Sequence, residues 1–160
     1  MRSDERFEIT AIARDGMPIE PIRTKEAFAA QCRVLVRDKI PISIHQWLKP
    51  KNEDPEVSYV SDMQKDDLWT VLKANFTLPA EEDPEKPVKE QLIKSHALKK
   101  MAELFRRWKN ELKTFVDKEE TPEFTGRHEK IRDHWDTFVA HNTSDNSKKM
   151  SATNKINAAN

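Results

Sequence analysis

Lys99, Lys100, Arg106, Arg107, Lys109 and Lys113 crowd one short stretch of the chain, with Asn110 among them. Cations repeated at helical spacing neutralise phosphates, and an amide beside them can reach base edges in a major groove. At about 100° per residue, Lys99, Arg106 and Lys113 form a row at heptad spacing, with Lys100 and Arg107 flanking it. These residues are the candidate DNA contacts. The competing account is a wetted helix face on which Glu103 and Glu111 pair with Arg107 and nearby lysines.

Other chemistry has less to stand on. His128, His134 and His141 are six and seven residues apart, whereas two metal ligands on one helical face need a spacing of three or four. The seven-residue pair shares a face but is separated by about 10 Å along the axis, too far for one ion. Asp62, Asp66 and Asp67 suit a helix N-terminus, and Glu81 to Glu85 reads as a solvated loop. There is no glycine-rich phosphate loop, nucleophile elbow or His-Glu-x-x-His motif, so neither enzyme activity, cofactor, metal nor small-molecule substrate is expected. The single cysteine, Cys32, excludes an intrachain disulfide and a cysteine-based zinc finger and fits an intracellular setting.

The elements that must position the basic stretch follow from composition. The chain has 160 residues, 36% hydrophobic and 35% charged, with only two glycines; that balance predicts a single all-α domain whose helices have solvated outer faces. Its nine prolines fall between apolar phrases and mark the joints. No apolar run is long enough to span a bilayer, so a membrane partner is not expected.

The expected order is an arm or hairpin over 1–23, a helical domain over 24–141 and a flexible polar tail over 142–160. Phe7 to Ala13 alternates, Asp15-Gly16 supplies a turn, and Met17 to Ile22 returns as a partner strand. Thr24 is the expected cap of a first helix reaching Arg37, and a short helical phrase after Pro41 carries Trp47. Ser61 and Gln64 form a capping box for a second helix that ends near Thr77. After Pro87 a helix of about 30 residues runs to the region of Val116. Its inward face carries Ala97, Met101, Leu104, Phe105, Trp108, Leu112 and Phe115. Thr125 caps the last helix, which ends near His141. Trp47, Trp69, Trp108 and Trp135 are the expected centre of one core.

The formal net charge of zero hides a segregation: residues 51–85 carry 3 basic and 10 acidic side chains, and residues 86–115 carry 9 and 3. A neutral total disfavours nonspecific nucleic-acid binding by the whole surface and leaves a local basic strip. It also permits self-association, in which the acidic segment of one copy meets the basic helix of another.

A series of phrases runs through the chain: Gly16-Met-Pro-Ile19, Leu35-Val-Arg-Asp-Lys-Ile-Pro41, Ile44-His-Gln-Trp-Leu-Lys-Pro50, Leu68-Trp-Thr-Val-Leu-Lys-Ala-Asn-Phe76, Arg107-Trp-Lys-Asn-Glu-Leu-Lys113, Trp135-Asp-Thr-Phe-Val139 and Ser151-Ala-Thr-Asn-Lys-Ile-Asn157. In order and spacing it resembles the plant transposase family Ptta/En/Spm. Glu20 stands where the family phrase tends to have glycine, and Ala158 where a basic residue is usual. The resemblance implies a transposon-derived nuclear protein that binds element DNA or assembles on it, without implying strand cleavage. Tryptophan-bearing helices with a basic third helix are also similar to trihelix and Myb-type modules, although the Trp69, Trp108 and Trp135 spacing departs from a Myb repeat.

Overall fold

The computed structural model describes residues 6–143. The fold is a helical bundle of four α-helices with one long central helix and small strand pairs near the N-terminus. The elements are β1 (Phe7–Glu8), β2 (Ala11–Ile12), β3 (Pro18–Glu20), α1 (Ile22–Lys39), α2 (Asp62–Lys73), β4 (Phe76–Thr77), α3 (Val88–Asp117), a 3-10 turn (Gly126–Ile131) and α4 (Arg132–Thr143). The chain divides into two compact units. Among the described residues these are 6–40 with 60–105, and 41–59 with 106–143.

In the first unit the alternating N-terminal stretch splits its pairing. β2 runs antiparallel to β3, closing the expected hairpin around Gly16, whereas β1 runs parallel to β4 with Phe7 opposite Phe76. Phe76 is buried, and its ring meets those of Phe7 and Phe28 at 5.8 and 5.2 Å. An aromatic cluster therefore rewards a pairing between segments far apart in sequence. Because Phe76 and Thr77 serve this strand, α2 stops at Lys73 instead of continuing to Thr77. The Ser61 to Gln64 capping box forms as expected, with both reciprocal bonds present.

α1 starts three residues earlier than the Thr24 cap predicts. Pro21 takes the extended cap position with no side-chain cap bond, and Thr24 is buried within the helix. α1 ends at Lys39, before Pro41, whose ring cannot continue the backbone ladder. Its inner side buries Phe28, Cys32, Leu35 and Val36. Facing the same unit's core, the first part of α3 buries Ile93, Ala97, Met101 and Phe105, each such side chain contributing roughly 1.5–3 kcal/mol apart from the smaller alanine.

Glu81 departs from the solvated-loop expectation. Its carboxylate oxygens accept the N–H groups of Lys89 and Glu90, both at 2.9 Å, so the acidic loop caps α3. An anion belongs there because the first amides of a helix have no intrahelical acceptor and the helix dipole is positive at that end.

In the second unit, Trp108, Leu112 and Val116 of α3 pack with Ile42, Ile131, Trp135 and Phe138, and Phe115, Phe124 and Val139 lie against them. The phrase after Pro41 is a series of turns instead of a helix, yet it buries Ile42 and Trp47. An isolated parallel bridge between Gln46 and Tyr59 brings the end of this segment back beside its beginning. Thr125 precedes a 3-10 turn without capping it through its side chain, and α4 begins at Arg132. All four tryptophans are buried, as their spacing predicts. They do not share one unit, however: Trp69 belongs to the first and the other three to the second. The expected tail mostly lies outside the described residues.

Candidate nucleic-acid interface

α3 is one uninterrupted helix of 30 residues, so spacing along it converts directly into position. Its buried residues follow steps of three and four, and the heptad row Lys99, Arg106 and Lys113 falls away from that stripe. Lys99 and Arg106 are exposed and Lys113 is half-buried. Among the described residues, no carboxylate pairs with any of the three. Arg107 and Asn110 are exposed beside the row. Lys99 and Lys100 sit on the part of the helix that belongs to the first unit, and the remaining candidates on the part that belongs to the second.

Lys100 and Lys109 are each engaged elsewhere. Lys100 lies 3.8 Å from Glu103 on the same helix, a partly exposed pair that holds the ammonium loosely. Lys109 turns to the backbone of the segment after Pro41. Its ammonium donates to the Ile44 carbonyl at 2.6 Å and the His45 carbonyl at 2.7 Å, and burial pushes its pKa down to about 8. Helical spacing places Lys109 near the basic row but is blind to carbonyls delivered by a segment about 65 positions earlier, so this structural role was not legible. Glu111, expected to neutralise cations of its own helix, pairs instead with Arg127. The Arg127 guanidinium also lies 5.8 Å from the centre of the Trp108 ring, close enough for a cation–π contact.

The three histidines go to three different neighbours. His128 stacks on Trp108, with ring centres 5.5 Å apart and 11° between planes. His134 lies 3.3 Å from the Ser43 hydroxyl through Nδ1, and His141 stacks on His45 at 4.0 Å. The carboxylates near α2 are likewise taken up structurally: Asp66 accepts from Lys94 at 2.8 Å, and Lys73 lies 3.5 Å from Glu90. These pairs line an open groove of about 580 Å³ that also includes Trp69 and Leu98. Opposite charges already matched across such a groove leave little net field for a charged ligand. No helix among the described residues is long and apolar enough to cross a membrane.

Sequence reading passed over the cluster of His45, Ser58, Lys109 and His141. These residues come from the turn segment, its returning end, α3 and α4. No periodic signal connects them, because two of the four sit in irregular backbone. No family model, curated protein or solved structure matches the chain.

Proposed function

We propose that this chain is a non-catalytic DNA-binding domain whose contacts come from the basic row of α3. Lys99, Arg106 and Lys113 neutralise phosphates, while Arg107 and Asn110 lie beside them in position to approach base edges. The supporting observation is that the heptad row projects away from the buried stripe and carries no carboxylate partner among the described residues. Lys109 drops out of the contact set because its ammonium is committed to two backbone carbonyls. A transposon-derived, nuclear origin rests on the resemblance to the Ptta/En/Spm family alone. The test is duplex affinity measured across a salt series for the chain and for its K99A/R106A/K113A variant. Loss of three phosphate contacts should flatten the slope of log affinity against log salt by about 3. An unchanged slope and affinity would remove this face from consideration.

A second reading is an oligomerisation module, favoured by the exposure of Asp62, Asp67, Glu82, Asp83 and Glu85 in the acidic segment. Such a surface suits the basic helix of another copy. Light scattering across ionic strength separates the readings, since self-association through charge weakens as salt rises.

A further inference from the structure

The segment from His45 to Ser58 closes on a single imidazole. The Ser58 N–H donates to His45 Nδ1 at 3.0 Å, the Ser58 hydroxyl lies 2.9 Å from the same nitrogen, and the His45 N–H donates to that hydroxyl oxygen at 2.9 Å. The Gln46 N–H adds a bond to the Ser58 carbonyl at 3.2 Å. A ring nitrogen that accepts a backbone N–H must present its lone pair, so the neutral His45 ring carries its proton on Nε2. We propose that His45 is a proton-operated latch on the 46–58 loop. Protonation at Nδ1 sets a donor against the Ser58 N–H and breaks that backbone bond, leaving the new ring N–H to the Ser58 hydroxyl oxygen and releasing the loop at the Ser58 amide.

The surroundings reinforce this direction. From α4, the His141 ring stacks on His45 with 25° between planes. From α3, the Lys109 ammonium reaches the His45 carbonyl. His141 is held below the ordinary histidine range first by burial, then by repulsion from His45 and Lys109. Charging both rings would place two cations face to face beside a third. Of the acidic groups within the loop, Asp54 accepts the Glu56 N–H at 2.9 Å, and Glu53 lies 3.6 Å from Lys49. This loop function goes beyond the DNA-binding reading and depends only on geometry inside the second unit.

Amide exchange followed by NMR tests the latch in the full chain. Between about pH 7.5 and about pH 5, the protection factor of the Ser58 amide, corrected for intrinsic exchange, should fall about tenfold or more while that of Leu112 holds. The His45→Asn variant offers an amide oxygen that can accept the Ser58 N–H and does not titrate, so its Ser58 protection should stay flat. A wild-type profile without pH dependence, or a variant that loses protection in parallel with wild type, overturns the proposal. The wild-type chain supplies a second check: the midpoint of the loss must coincide with titration of the His45 ring nitrogens, and a midpoint that does not follow them also overturns it.

Discussion

The Lys109 ammonium donates to the Ile44 carbonyl at 2.6 Å. With the neighbouring bond to His45, it fastens the second half of α3 to the segment that buries Ile42 and Trp47. Methionine at this position keeps the apolar stem but removes both donors, and relief of a desolvated charge trims the loss only in part. Lys109→Met should cost about 1–3 kcal/mol in urea unfolding, against no more than about 0.5 kcal/mol for Lys113→Met at the basic row. Equal costs would contradict the separation of roles. The Lys109 amine should also titrate near 8, below its ordinary 10.5, in 13C spectra of its Cε. Between those values the unfolded state holds more protons than the folded one, so this group makes stability rise with pH across that window.

Gly16 carries a φ of +93°, and a side-chain carbon placed on it would run into the backbone carbonyl of Leu92. Both backbone conformation and space therefore exclude larger residues there. Gly16→Ala should destabilise by about 2–4 kcal/mol, combining the left-handed penalty with overpacking against a rigid helix. Denaturant midpoints at constant m-value measure it; a loss under about 0.5 kcal/mol would show that the hairpin shifts freely.

His96 sits half-buried on α3, 3.7 Å from Asp15. Burial pushes its pKa below the ordinary histidine value and outweighs the attraction of Asp15, with Lys100 and Lys99 pushing the same way. When pH falls through about 6.5, the unfolded chain takes up the proton first. The stability contributed by the neutral ring is thus complete above that pH and lost below it. Urea midpoints should decline from about pH 7.5 to about pH 5.5, and His96→Gln should shrink the decline. A variant with the wild-type pH slope would assign the acid sensitivity elsewhere.

The bond from Glu81 to the first amides of α3 gives a fourth stability prediction. Glu81→Ala leaves the Lys89 and Glu90 N–H groups without their carboxylate, at a cost of about 0.5–2 kcal/mol. Glu81→Gln keeps an acceptor and should recover part of the loss. Thermal unfolding compares both variants with wild type; the same melting temperature for all three would mean that the charge and the acceptor are both idle.

Helices with a strong local signature were legible in the sequence. The Ser61 to Gln64 box, Pro87 at the entry of α3 and the apolar steps from Ala97 to Leu112 each act within a turn or two of their own position. What stayed hidden depends on partners distant in the chain. Phe76 joins a strand because Phe7 and Phe28 await its ring, and Lys109 turns away from the basic row because two carbonyls arrive from the turn segment. The exposure of Lys99 and Arg106 was readable, because it follows from angle around a helix. The His45 latch was not, since no repeat or propensity ties one histidine in a turn to a serine 13 positions later.

Cys32 lies fully buried on α1, with burial raising its thiol to about 12. A sulfhydryl so shielded meets an alkylating reagent only while the first unit is open, which makes its labelling rate a clock for that opening. Three of the four indoles lie in the second unit, so tryptophan emission is weighted toward the other half. One sample without substitutions thereby follows the two units on separate channels.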